Sequence, residues 1–177
     1  YCGSMIACIA LSASMTSATI NSLGGNQHLL QFMPLALASL GIICSLLGIL
    51  TVKAFSSKSA ETALRYGTIG SAVLFVVLSY FLVNLMNVAV GVWIAVFVGS
   101  VGGIVVGLIT EYYTGGAPIK KIAKGGETGS ATIMITGLAT GMQSVAIPVF
   151  TIVCIIFIAN YFAGLYGVGI AAIGMLS

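Results

Sequence analysis

Acidic side chains, from which proteins build most metal sites and acid–base catalysts, are scarce in this sequence. It contains no aspartate, and its three glutamates are Glu61, Glu111 and Glu127. All three lie in or beside stretches that carry lysine or arginine, where an ion pair is the plain interpretation. A Mg²⁺ site takes oxygen ligands that usually include one or two carboxylates, and hydrolysis by acid–base catalysis needs positioned titratable groups. We therefore expect no catalytic residue, cofactor site or metal site within these 177 residues.

The other side chains that could ligate a metal are isolated from one another. Cys2, Cys8, Cys44 and Cys154 occur in separate apolar contexts without a Cys-x-x-Cys pair, which favours buried small hydrophobic residues over a metal site or a disulfide framework. His28 lies alone in a predicted loop with no carboxylate nearby, as is typical of an ordinary surface histidine.

Three glycines at four-residue spacing, Gly99, Gly103 and Gly107, place a ridge of small residues on one helix face. Such a ridge lets a second helix backbone approach closely, so we interpret it as a packing surface. A phosphate-binding loop would instead need glycines at a helix N-terminus followed by Lys and Ser or Thr. Residues 115–121 lack that ending.

The elements that hold these residues are predicted from composition. Apolar residues make up 59% of the chain, against six basic and three acidic residues, which cannot coat a soluble particle. The net charge of +3 is also too small for a nucleic-acid interface. Long apolar runs without alternation predict an all-α, polytopic transmembrane helix bundle with about six spans. We expect these spans at about 1–20, 33–52, 66–86, 88–110, 130–162 and 165–177.

Local signals refine these spans. Pro34 is expected in the first turn of the second span, where a missing N–H costs little. The short connection at Asn87 predicts an antiparallel hairpin of spans three and four. Pro148 predicts a kink in the fifth span.

Basic residues are confined to two of the predicted loops, residues 53–65 and 111–129. They are Lys53, Lys58 and Arg65 in the first loop and Lys120, Lys121 and Lys124 in the second. Two spans separate the loops, so both lie on one side of the membrane, and the positive-inside rule predicts that this side is the cytoplasm. Both ends of the sequence lie within apolar runs, and we expect the chain to be a piece of a longer protein.

One stretch of the sequence indicates a protein family more specifically than the composition does. It comprises Glu111-Tyr112-Tyr113-Thr114, Pro118, Thr128-Gly129-Ser130-Ala131-Thr132, Gly137-Leu138-Ala139-Thr140-Gly141-Met142-Gln143-Ser144 and Pro148. In order and spacing these residues resemble the membrane-bound, ion-pumping pyrophosphatases. The stretch from Tyr161 to Ser177 is similar to the same family's approach to a catalytic inner helix, and the start of the chain is similar to an earlier inner helix just past its ion gate.

The resemblance implies a subunit of sixteen helices in two concentric rings, within a homodimer. It implies hydrolysis of pyrophosphate with Mg²⁺, coupled to transport of Na⁺ and/or H⁺ across a bacterial plasma membrane. This piece would hold the end of inner helix six, outer helices seven to ten and the start of inner helix eleven. The catalytic carboxylates and the bound Mg²⁺ would then lie outside it.

The resemblance also implies roles for particular residues. Tyr1 and Ser4 would line the ion exit path, and residues 144–162 would contribute to the dimer contact. Gly3 departs from plant proton pumps, which carry a glutamate two residues after the equivalent of Tyr1, so the sequence leans toward a bacterial sodium or sodium/proton pump. Dependence on K⁺ would rest on a later segment.

Two further functions remain open from the residues alone. A non-enzymatic secondary transporter would need polar groups converging within the spans, and the few candidates are Asn84, Gln143 and Asn160. A purely structural membrane subunit is the third possibility. Aspartate-rich motifs in the flanking sequence would favour the pump, and their absence would favour the other two.

Overall fold

Helices account for the regular structure of this protein, which we describe from a computed structural model covering residues 2–23, 26–54, 60–126 and 129–176. Those residues contain no strand, so the prediction of an all-α chain is confirmed. The helices are α1 (Cys2–Ala13), α2 (Ser17–Leu23), α3 (Gln27–Ala54), α4 (Ala60–Leu85), α5 (Val90–Gly115), α6 (Ala117–Gly125) and α7 (Ser130–Leu176).

Within the described residues, four helical stretches are long and apolar enough to cross a membrane: Gln27–Lys53, Leu64–Leu85, Val90–Gly125 and Ser130–Leu176. The first helix, α1, is apolar but shorter. The chain is therefore an integral membrane protein, as predicted, while the count of six spans and their sides of the membrane stay predictions.

The 47-residue helix α7 is interrupted at Ala163 and Gly164. Ala163 has φ −136° and ψ 16°, and Gly164 has φ 61° and ψ −158°. A positive φ with an extended ψ is open almost only to glycine, so Gly164 permits the break. The result is two helical segments, residues 130–162 and 165–176. The backbone at Pro148, where the sequence predicts a kink, keeps helical dihedral angles.

Three stretches differ in detail from the sequence expectations. The first predicted helix ends at Ala13 and resumes as α2 after residues 14–16, and the Gln27 side chain caps the carbonyls of Ser12 and Ala13 at 3.4 and 3.2 Å. Because α3 begins at Gln27, Pro34 lies beyond its first turn. The predicted loop at 111–129 contains the end of α5 and all of α6.

The chain divides into two compact units, Tyr1–Ile104 with Ile155–Ser177, and Val105–Cys154. The first unit contains the buried core, and segment 165–176 lies within it. Its fully buried side chains include Cys8, Leu30, Phe75, Val92, Val96, Tyr166, Ile170 and Ile173. The helices α4 and α5 meet across a tight connection in which Asn87 has φ 51°, and Trp93 donates a hydrogen bond to the carbonyl oxygen of Val76 at 3.3 Å.

Candidate functional site

In the described part of the chain, the residues that sequence analysis singles out for chemistry do not assemble into a metal-binding cluster. Among those residues, no group of three or more His, Cys, Asp or Glu side chains could hold a metal ion. All four cysteines are free thiols; Cys8 and Cys44 are buried, Cys154 is half-buried and Cys2 is exposed. His28 is exposed.

The two predicted ion-path residues are Tyr1 and Ser4. Ser4 lies in α1 and is half-buried, whereas Tyr1 lies outside the described residues. Lys58, Glu127 and the side chain of Glu61 also lie outside them. Glu111 lies in the last turns of α5 and is half-buried. The three amides considered for a secondary transporter, those of Asn84, Gln143 and Asn160, are each exposed.

Two cavities of about 230 Å³ each are formed by helix faces. The first lies between α3 and α4, against Cys44, Gly48, Gly67 and Gly70. The second lies among α5, α6 and α7, and its lining includes Thr110, Tyr113, Ile119, Ile122, Gly137, Thr140 and Ser144. Neither lining contains a charged residue, and both volumes fall below the usual range for small-molecule sites, about 300–1,000 Å³. A pyrophosphate anion would find no counter-charge in either cavity.

The most specific contacts of the first unit converge instead on segment 165–176. Tyr166 is fully buried and its hydroxyl donates a hydrogen bond of 2.7 Å to the carbonyl oxygen of Leu30 in α3. The regular helical donor to this carbonyl would be the N–H of residue 34, four residues later, but residue 34 is proline and has none. Tyr166 therefore satisfies a carbonyl that Pro34 leaves without its usual partner, as neighbouring helices do around prolines in membrane proteins.

The same segment packs backbone against backbone on α5. A Cβ atom added at Gly99 would collide with the backbone of Ala171, and one added at Gly103 would come within 2.9 Å of the Met175 carbonyl oxygen. From the other side, a Cβ at Gly174 would lie 2.8 Å from the carbonyl oxygen of Val96. The predicted packing role of the glycine ridge is thus confirmed at Gly99 and Gly103, whereas a Cβ at Gly107 would meet nothing within 4 Å.

Two further contacts fix this arrangement. Ser100 of α5 donates a buried hydrogen bond of 3.2 Å to the carbonyl oxygen of Gly174. A Cβ at Gly169 would collide with the buried Cys8 sulfur of α1. Segment 165–176 is therefore held by α1, α3 and α5, and we call these contacts the 165–176 cradle.

Sequence analysis missed the Tyr166–Leu30 contact and the helix α6. Pro34 is a sequence signal for the Tyr166–Leu30 contact, because a proline inside a helix leaves the carbonyl four residues earlier without its helical donor. The sequence does not say which distant residue supplies that donor, since the two partners lie 136 positions apart.

The chain is similar to one family of known proteins along its whole length. The model of one protein family, described as inorganic H⁺ pyrophosphatase, matches residues 1–177. A putative K⁺-stimulated pyrophosphate-energized sodium pump of Bacteroides thetaiotaomicron is 37% identical over 194 aligned residues, covering 100% of this chain and 26% of the relative.

Two other relatives are a sodium pump and a proton pump. A K⁺-stimulated pyrophosphate-energized sodium pump of Thermotoga maritima is 34% identical, covering 100% of this chain and 28% of the relative. A K⁺-insensitive pyrophosphate-energized proton pump of Methanosarcina mazei is 32% identical, covering 81% of this chain and 23% of the relative. The chain thus spans about a quarter of the length of these curated relatives.

Proposed function

This chain belongs to the inorganic H⁺ pyrophosphatase family of ion-translocating membrane pyrophosphatases, and we propose that it is the bracing part of a pyrophosphate-energised cation pump. In the full-length protein, hydrolysis of pyrophosphate would drive Na⁺ and/or H⁺ across the membrane. The observation that carries the proposal is the family match over residues 1–177 together with the 165–176 cradle.

The cradle supports a bracing role because of what segment 165–176 resembles. Residues 161–177 are similar to the start of a catalytic inner helix in this family. Tyr166, Ile170 and Ile173 are fully buried, and glycines on both sides bring the backbones of α5 and this segment into direct contact. Close-packed helices transmit a displacement of one to the next. A helix held in this way would keep the inner ring in register during the pump's cycle.

Magnesium does not fit the described residues of this chain. They offer no cluster of candidate ligands, and the linings of the two cavities contain no carboxylate. We therefore assign no step of hydrolysis to these residues. In our proposal the full-length protein binds Mg²⁺ and pyrophosphate through parts of the chain outside residues 1–177.

The transported ion is proposed from the relatives. The sodium pumps of Bacteroides thetaiotaomicron and Thermotoga maritima align with the whole of this chain, and the proton pump of Methanosarcina mazei aligns with 81% of it. We favour Na⁺, alone or with H⁺, and activation by K⁺. Tyr1 and Ser4 would line the exit path. Replacing Ser4→Ala should then lower the number of ions moved per pyrophosphate while leaving hydrolysis close to normal.

A homodimer contact through residues 144–162 is also proposed. Phe150, Phe157 and Tyr161 are 70%, 74% and 80% exposed, so this face has room for a partner helix or for lipid. Oxidative cross-linking of the full-length protein with Phe157→Cys would give covalent dimers if this face is the contact. A matched cysteine at Phe81, which is 72% exposed on α4, serves as the lipid-facing control.

The whole proposal is tested by reconstituting the full-length protein into sealed vesicles. We expect pyrophosphate hydrolysis that requires Mg²⁺ and drives ion accumulation. Uptake of radioactive sodium, compared with acidification that a protonophore abolishes, identifies the ion. A folded protein that hydrolysed no pyrophosphate under any combination of K⁺ and Na⁺ would overturn the assignment.

A further inference from the structure

Helix α6 (Ala117–Gly125) has two chemically different faces. At about 100° per residue, its three lysines, Lys120, Lys121 and Lys124, fall within an arc of about 100°. Ile119 and Ile122 fall on the opposite side. All three lysines and Ile119 are exposed, whereas Ile122 is half-buried.

The orientation of α6 is set by its ends and by its apolar face. Its N-terminus follows α5 after the single residue Gly116, whose N–H donates a 2.9 Å hydrogen bond to the carbonyl oxygen of Tyr112, and Pro118 stands in the first turn. At the other end, the N–H of Gly126 donates to the carbonyl oxygens of Ala123 and Lys124. Ile119 and Ile122 line the second cavity together with Tyr113 and Gly137, so the lysine face points away from that cavity.

This helix also occupies a particular place along the chain. It forms the last nine residues of the stretch Val90–Gly125, whose apolar part is α5, and α7, which is itself long and apolar enough to cross a membrane, begins five residues after it, at Ser130. A short connector between two spans must lie at or near the boundary between lipid and water. A helix there that turns its apolar face to the protein and its lysines outward can present those lysines to lipid headgroups.

We propose that α6 lies on the membrane surface and that Lys120, Lys121 and Lys124 bind the phosphate groups of anionic phospholipids. Phosphate is shared by lipid headgroups and by free anions in solution. We commit to the headgroup because the three ammonium groups lie along an open helix face, which suits a layer of phosphates better than one enclosed anion. Juxtamembrane lysines attract anionic lipids by about 1 kcal/mol each, a roughly fivefold effect.

Hydrogen exchange of the α6 amides in the full-length protein tests this proposal without requiring pump activity, so its failure and that of the proposed function are distinguishable. The protein is placed in nanodiscs of phosphatidylcholine alone or with phosphatidylglycerol. Lipid that binds the folded helix slows its exchange. We expect exchange in residues 117–125 to slow on the order of fivefold or more with phosphatidylglycerol, and the effect to weaken at high salt.

Variants separate the lysine face from general effects of lipid charge. Changing all three lysines to glutamine should remove the difference between the two lipids, whereas changing all three to arginine should keep it. Lys53→Gln, which removes an exposed lysine at the end of α3, should also keep it. Equal exchange in both lipids would overturn the proposal. So would full protection by inorganic phosphate in phosphatidylcholine alone, because the ligand would then be a free anion.

Discussion

Two apolar stretches of α7, residues 130–154 and segment 165–176, have opposite surroundings. In residues 130–154 no described residue is fully enclosed, and Met134, Ile135 and Leu138 are 79%, 71% and 71% exposed. In residues 165–176, Tyr166 and Ile170 are completely buried. Residues 130–154 present their side chains outward, whereas segment 165–176 is enclosed by α1, α3 and α5.

The difference shows that apolarity does not predict burial in a membrane protein. Lipid is as apolar as leucine, so helices gain little by hiding apolar side chains from it, and close packing between helices depends on small residues and buried hydrogen bonds. Segment 165–176 has both. Gly174 and Ala171 admit the backbone of α5, and Tyr166 and Ser100 supply the hydrogen bonds.

The largest contrast is expected between two isoleucines of α7. Ile170→Ala should lower the free energy of unfolding by about 2–5 kcal/mol, because it leaves a cavity in the enclosed segment. Ile135→Ala, at a position 71% exposed, should change it by less than about 0.5 kcal/mol. Reversible denaturation of the full-length protein in mixed micelles measures both. Equal losses of unfolding free energy in the two variants would show that residues 130–154 and segment 165–176 have the same surroundings.

A smaller contrast is expected within α5. Gly99→Ala should cost about 1–3 kcal/mol, since its Cβ would press on the backbone of Ala171, which cannot rotate away. Gly107→Ala, with nothing within 4 Å of its Cβ, should be neutral or gain about 0.5–1 kcal/mol from helix propensity. Thermal midpoints of the two variants compare them directly. A stable Gly99→Ala protein would argue against the close backbone contact.

The third test concerns the carbonyl of Leu30. Tyr166→Phe should cost about 1–3 kcal/mol, because it leaves that buried carbonyl without a donor. Adding Pro34→Ala supplies an N–H four residues after Leu30, so the double variant should lose less than the sum of the two single losses. A double-mutant cycle on the free energy of unfolding measures this coupling. Strict additivity would mean that Tyr166 and Pro34 do not share the carbonyl.

Composition and apolar run length were sufficient to predict an all-helical membrane protein, because a lipid solvent leaves few alternatives for the backbone. The predicted boundary between the fifth and sixth spans, at residues 162–165, coincides with the break in α7 at Gly164. The glycine ridge was visible from spacing alone.

Other features depend on information that the local sequence does not carry. The sequence predicts a loop where α6 lies, because these nine residues are flanked by glycines, are rich in lysine and include only two isoleucines. The partner of Leu30 is set by tertiary packing over 136 positions. The 165–176 cradle consists of glycine backbones and single polar side chains, which form no sequence motif.

One rate tests the proposal that these residues brace a pump whose chemistry lies elsewhere in the full-length protein. All three glutamates, Glu61, Glu111 and Glu127, are changed to glutamine in the full-length protein, and pyrophosphate hydrolysis is measured once folding has been verified. Loss of a general acid or base lowers a rate by about 10²–10⁴-fold. We expect a rate within a few-fold of that of the unaltered protein, and a fall of about 100-fold or more in a folded variant would overturn the proposal.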